Sequence, residues 1–278
     1  MNNEFKIDSK AVLSNGVEIP RFGLGVFKTR EGKEIRDAVS WALEAGYRLI
    51  DTAAVYGNEE GVGTAVAESP VPRKDIFITS KVWNSDQGYE STFKAFDVSL
   101  KKLKTDYLDL YLIHWPVAGK FVETWKALEK LYRDGRVRAI GVSNFLEHHL
   151  EDLLPEADIV PMVNQVEFHP RLQQPSLQGL CREKQIWIQA WSPLMRGAVL
   201  EIPELKELGR KYGKTPVQIT LRWMIQKDIL TIPKSVTQSR IRDNGQIFDF
   251  ALSVEEMALI DSLDRHIRTG ADPDNFDF

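Results

Sequence analysis

Apolar residues recur along this chain with two alternating patterns. Ile35, Ala38, Val39, Ala42 and Gly46 stand at i, i+3, i+4, i+7 and i+11, the spacing of one buried helical stripe. Phe93, Phe96, Leu100 and Leu103 repeat it. So do Phe121, Trp125, Leu128 and Tyr132, in a stretch that stops at Asp134-Gly135. Between such stripes lie short β-branched runs that mostly lack polar alternation, as expected of strands covered on both faces. These runs predict strands over residues 21–27, 47–50, 76–80, 108–113, 137–142, 162–166, 186–191 and 229–233. Ahead of the first, residues 12–19 read as a hairpin, because Asn15-Gly16 between apolar flanks is the strongest short-range signal for a type I′ turn.

Eight strand–helix units with no Pro/Gly/Ser-rich linker predict one domain over residues 1–278, an α/β fold of the (β/α)8 TIM-barrel type. The hairpin would plug its lower end. Two helices exceed the count, over residues 215–226 and 253–263. The tail, 264–278, is rich in Asp and aromatics without periodicity and reads as a loop across the barrel mouth.

Composition narrows the function more than the fold. A formal net charge of −4 leaves no basic footprint for nucleic acid. No apolar run reaches membrane-spanning length, and MNNEFKIDSK has no secretory apolar region. The lone Cys181 excludes an internal disulfide and suits a reducing, cytoplasmic setting; within LQGLCREK it reads as a packed small residue.

A parallel barrel gathers the C-terminal ends of its strands on one rim, where chemistry is done. In GYRLIDTAAVYGNEEGVG the second strand runs into Asp51, and Tyr56 follows five residues on. Asn58 then reads as a helix N-cap, with Glu59 and Glu60 at the positive end of the dipole. The next two strands end in Lys81 and His114. Each residue alone is ordinary; polar groups at three consecutive strand ends are not. A phenol, pKa about 10, donates readily only when its charged form is stabilised, as by a nearby lysine. An aspartate would hold that lysine charged, and a histidine would orient a carbonyl oxygen. The set suits protonation of an oxygen as hydride adds to an aldehyde or ketone. It lacks a nucleophile with an adjacent base, so acyl transfer fits poorly. A hydrolase built on Asp51 and Glu167 would leave the tyrosine, lysine and histidine without a role.

Seven motifs stand in order: GYRLIDTAAVYGNEEGVG, ITSKVWNSDQGY, YLDLYLIHWP, IGVSNF, VNQVEFHP, AWSPL and TIPKS followed by RI. Together they resemble the aldo-keto reductases over essentially the whole chain, closest to short members that reduce glyoxal, methylglyoxal, diketogluconate or prostaglandin H2. The resemblance implies Tyr56 as proton donor, Lys81 as the group lowering its pKa, Asp51 as partner of Lys81 and His114 as orienter of the carbonyl. It implies NADPH. Gly25 and Val26 would border the cofactor, Trp191 would stack on the nicotinamide, and Ser143, Asn144 and Gln165 would bond its carboxamide. Ser192 and Leu194 would lie under the pyrophosphate. Lys234, Ser235, Val236 and Arg240 would surround the 2′-phosphate, and Asn244 would touch the adenine. Phe27, Trp83, His114 and Trp115 would line a substrate pocket left open by the short WPVAGKF loop, suited to small carbonyls. No metal is implied, and a monomer is. The chain departs from the usual pattern at Val26-Phe27, Met195-Arg196 and Asp243. A regulatory, cofactor-binding protein of the same fold is the alternative; the intact tetrad and absence of long extensions argue against it.

Overall fold

The computed structural model describes residues 5–276 and 278. The chain opens with a hairpin, β1 (Lys10–Val12) and β2 (Glu18–Pro20). Then come β3 (Leu24–Gly25), α1 (Lys33–Glu44), β4 (Leu49–Asp51), α2 (Glu59–Glu68), β5 (Phe77–Val82), α3 (Tyr89–Leu103), β6 (Leu108–Ile113) and α4 (Phe121–Arg133). The second half runs β7 (Val137–Ser143), α5 (Glu147–Leu153), β8 (Val163–Glu167), α6 (Pro175–Glu183), β9 (Trp187–Trp191), α7 (Pro203–Tyr212), α8 (Pro216–Gln226), β10 (Leu230–Thr231), α9 (Gln238–Asn244) and α10 (Val254–Asp261). Strands β3 to β10 pair in parallel in chain order. Parallel bridges Phe22–Thr231 and Gly25–Lys234 join the two outer strands, so the sheet closes into the expected barrel.

Glycine permits that closure. A Cβ on Gly25 would lie 2.8 Å from the Ile232 carbonyl oxygen, and one on Gly23 would lie 2.5 Å from Leu49. The first strand is shorter than its apolar run suggested. Beyond Gly25 the chain turns, with the Val26 N–H on Asp51 O at 3.1 Å and the Thr29 N–H returning to Val26 O at 3.1 Å.

Two other local expectations change. The hairpin turn is not type I′, which needs positive φ at both central residues; Gly16 has φ 84° but Asn15 does not share it. Asn15 is engaged elsewhere: its Oδ1 accepts the Val17 N–H at 3.1 Å and its Nδ2 donates to Arg138 O at 2.9 Å. That bond, with Trp187 Nε1 on Val12 O at 2.9 Å, seats the hairpin against the starts of β7 and β9. The lower end is plugged as anticipated. Gly46, placed in the first helical stripe, instead ends α1: its φ is 94° and the Tyr47 N–H reaches back to Ala42 O at 2.9 Å.

Both added helices open on capping boxes. Thr215 and Ser253 each accept an N–H from the residue three on, and Gln218 and Glu256 reach back to complete capping boxes. Cys181 is buried in α6, where burial pushes its thiol up to about 12. Among the described residues no helix is long and apolar enough to cross a membrane.

One buried carboxylate ties the lower barrel together. Asp109, at the start of β6, accepts from Arg73 Nη1 (2.9 Å), the Ile78 N–H (2.9 Å) and Arg138 Nη1 (2.7 Å). Removing one partner of a buried ion pair costs about 3–5 kcal/mol, and partial exposure of both guanidiniums favours the lower figure. Asp109→Ala is therefore expected to lower stability by about 3 kcal/mol in urea denaturation, while the activity of the folded fraction stays at wild-type level.

Candidate active site

The strand-to-helix turn after β4 builds the centre of the rim. Asp51 is the last residue of β4, and Tyr56 closes a 3-10 turn spanning Ala54–Tyr56. Asn58 stands before α2 but does not cap it with its side chain, contrary to expectation. Its Nδ2 donates to Val26 O (2.9 Å) and Thr29 O (3.1 Å), and its Oδ1 accepts from Thr52 Oγ1 at 2.7 Å. Asn58 thus ties the Tyr56 turn to the loop after β3, a tertiary use that overrides the capping preference. Glu59 and Glu60 stand in the first turn of α2, as expected. Glu59 is buried, and its Oε1 accepts from Ser80 Oγ at 2.6 Å.

Lys81, fully buried in β5, gives its ammonium to Asp51 Oδ1 at 2.7 Å and to Thr52 O at 2.9 Å. Burial disfavours the charge on both members, lowering the lysine and raising the aspartate, and the opposite charge beside each offsets part of that cost. Gln165 on β8 donates to the second Asp51 oxygen at 2.6 Å and to Gln189 Oε1 at 2.7 Å. Sequence reading gave Gln165 a cofactor role only; its hold on Asp51 has no local signal, because it joins strands far apart in the chain.

Lys81 Nζ lies 5.1 Å from the Tyr56 ring centroid. The phenol is pushed well up, by burial first and then by the Asp51 charge. That direction opposes the lowering expected from Lys81, because burial is the larger cause and the charge of Asp51 adds to it. The phenol accordingly stays protonated at neutral pH. His114 follows β6, with its ring centroid 5.6 Å from that of Tyr56. Burial, then the charge of Lys81, holds its pKa well below the usual imidazole value, so it is neutral. Its Nδ1 is buried and has no hydrogen-bond partner among the described residues.

An aromatic wall surrounds these groups. Phe27 packs on Tyr56 (centroids 4.9 Å) and Trp83 on His114 (5.1 Å). The expected lining residues Phe27, Trp83, His114 and Trp115 therefore meet at one mouth. The tail crosses it, as anticipated, and adds residues not anticipated. Phe278 stacks on Trp83 at 5.8 Å and 6°, and Phe276 packs on Trp115 at 4.9 Å. Asn84 Nδ2 holds Phe278 O at 3.1 Å. The only forward signal was the aromatic content of the tail.

The residues expected around a cofactor occupy the later strand ends. Ser143 Oγ donates to Gln165 O (2.8 Å), and Asn144 Nδ2 donates to His114 O (2.9 Å). Trp191 Nε1 donates to Asn144 Oδ1 at 2.8 Å. After β9 the chain enters a tight turn with positive φ at Ser192, Met195 and Arg196, beside half-buried Leu194. Lys234 leaves the barrel seam, followed by Ser235, half-buried Val236 and α9, which carries Arg240 in its first turn and buried Asn244 at its end. Neither exposed Lys234 nor Arg240 forms an ion pair among the described residues. Val26 is wholly buried. Glu167 is committed to His169 and to Thr269 and Gly270 of the tail, so it forms no catalytic pair with Asp51.

A model of the Aldo/keto reductase family matches residues 22–265. The chain is 56% identical over 266 residues to a glyoxal reductase of Bacillus subtilis, covering 96% of each. It is 53% identical to a 9,11-endoperoxide prostaglandin H2 reductase of Trypanosoma cruzi, covering 95% of this chain and 94% of the relative. The crystal structure of a Gox0644 mutant in complex with NADPH superposes with a TM-score of 0.93 at 40% identity, covering 98% of this chain and 99% of that one.

His114 makes stability depend on pH with a definite sign. Its folded-state pKa lies below the unfolded value of 6.5, so below that pH the unfolded chain binds a proton that the folded chain refuses. The contribution is neutral above pH 6.5 and becomes destabilising as pH falls, by up to about 1.4 kcal/mol per pH unit. Urea denaturation from pH 7 to 5 is expected to show His114→Gln losing less stability over that span than wild type; parallel curves would refute the burial argument.

Proposed function

The chain belongs to the aldo/keto reductase family, and on that premise we propose that it reduces small aldehydes and ketones, glyoxal and methylglyoxal among them, with NADPH. The observation that carries this reading is the meeting of Tyr56, the Lys81–Asp51 pair and neutral His114 at one aromatic-walled mouth. The glyoxal reductase resemblance supports the choice of small carbonyls, as does the short loop between β6 and α4.

The donor set fits the cofactor. Lys234 and Arg240, exposed and without ion-pair partners among the described residues, offer an ammonium and a guanidinium fork for a 2′-phosphate dianion. Trp191 offers an indole for the nicotinamide, and Ser143, Asn144 and Gln165 form a polar rim beside it. NADPH, when bound, supplies a hydride to the carbonyl carbon.

The chain's own residues handle the oxygen. Neutral His114 carries one ring N–H, and it orients the carbonyl by donating to its oxygen. Tyr56 gives its phenolic proton to that oxygen as negative charge develops there, which completes the alcohol. A raised phenol pKa keeps Tyr56 in the acid form until that moment. Lys81 stabilises the phenolate left behind, and Asp51, steadied by Gln165, keeps the ammonium aimed. The Trp83, Trp115 and tail aromatics exclude water from the transfer.

Two measurements test this. Arg240→Ala is expected to weaken NADPH binding roughly tenfold or more, the worth of a charge-assisted hydrogen bond, and to leave NADH nearly unaffected; equal losses would refute the phosphate assignment. For the chemical step, Tyr56→Phe keeps the ring and removes the acid. Single-turnover hydride transfer should slow by about 10²–10⁴, with NADPH affinity by fluorescence titration almost constant. Retention of a third of the wild-type single-turnover rate would remove Tyr56 from the role.

A further inference from the structure

Glu167 is a buried carboxylate at the end of β8 for which the proposed chemistry has no use. Its Oε1 accepts the Thr269 N–H at 2.7 Å and the Thr269 hydroxyl, and both oxygens lie 3.2 Å from the Gly270 N. His169 Nε2 stands 3.1 Å from the same Oε1. The carboxylate is held below its usual range by these bonds, although burial alone would raise it. The tail is thus latched to the barrel beside Trp191, which faces Glu167 across the β8–β9 pairing.

Gly270 carries the latch into contact with that tryptophan. A Cβ built on Gly270 would lie 2.3 Å from Trp191 Cη2 and 2.8 Å from Cζ3. Its φ is not in the left-handed range. Space, and not torsional freedom, is what requires glycine there. At its other end the same indole is held by its Nε1, which donates to Asn144 Oδ1 at 2.8 Å, and Asn144 Nδ2 bonds His114 O at 2.9 Å. Ring edge and ring nitrogen are therefore fixed by different segments.

From this geometry we infer that Glu167 and Gly270 are positioning residues: the latch sets the tilt of the Trp191 indole and through it the affinity for the nicotinamide half of the cofactor. The inference rests on the reading of Trp191 as the nicotinamide platform. Glu167 holds the Thr269–Gly270 backbone in place, so a methyl group added at Gly270 has two outlets. Either the indole gives way or the latch opens, and both disturb the platform.

The test is a double-mutant cycle with NADPH fluorescence titration, alongside limited trypsin digestion of the ligand-free protein. Trypsin reports the latch directly, because the Arg268–Thr269 bond lies beside it. Glu167→Ala is expected to speed cleavage there about tenfold, as for loss of hydrogen bonds to a charged group. Gly270→Ala should weaken NADPH binding about tenfold in the wild-type background, the scale of an overpacked contact. Phenylalanine lacks the benzo atoms that meet Gly270, so in a Trp191→Phe background Gly270→Ala should cost less than about twofold. An equal penalty in both backgrounds, or none in wild type, overturns the inference. If Trp191→Ala itself leaves NADPH affinity unchanged, the platform reading fails, and the inference with it; trypsin then still shows whether the latch exists.

Discussion

A lysine ammonium with no solvent exposure survives inside a barrel only if something takes the place of water. Here Asp51 and the Thr52 carbonyl do so, and much of the upper rim is arranged around that compensation. Asp51 needs a second donor, supplied by Gln165 from across the barrel, and Gln165 is in turn held by Gln189. The pair cannot be moved without disturbing four strands. It also sets the electrical character of the mouth. Burial first and then the lysine charge keeps His114 neutral, and burial first and then the aspartate charge keeps the Tyr56 proton in place.

A second web lies over the first. Asn144, held in a left-handed conformation after β7, accepts from Trp191 and donates to the His114 carbonyl. The ends of β6, β7 and β9 are thereby fixed to one another by side chains, in addition to the backbone pairing. Rigid strands with cross-bonded tips are what hold a tyrosine, a histidine and an indole at constant separation.

The barrel was legible because its units are periodic: buried stripes at helical spacing, and β-branched runs between them. The rim residues were legible because a parallel barrel puts successive strand ends on one side, so Asp51, Lys81 and His114 had to meet. What escaped the sequence was partnership across distance. Asn58 looked like a cap and is a tertiary clasp; Asn15 looked like half of a tight turn and bonds β7 instead. The direction of the Tyr56 shift was misjudged too. Burial of the ring is the larger cause that raises the phenol, and the charge of the aspartate adds to it. The aromatic tail carried no periodic signal at all.

The seam between β3 and β10 has a consequence for how the molecule comes into being. Phe22 and Gly25 are made early, and their partners Thr231 and Lys234 emerge only after six intervening strands, β4 to β9. Until then the growing sheet has an open margin, the kind of surface on which chains associate wrongly. The margin is a poor template: two regularly paired residues, with glycines at 23 and 25 and a turn directly after. The short, glycine-marked strand that lets the barrel close tightly is also one that offers little to a neighbouring ribosome's product while it waits.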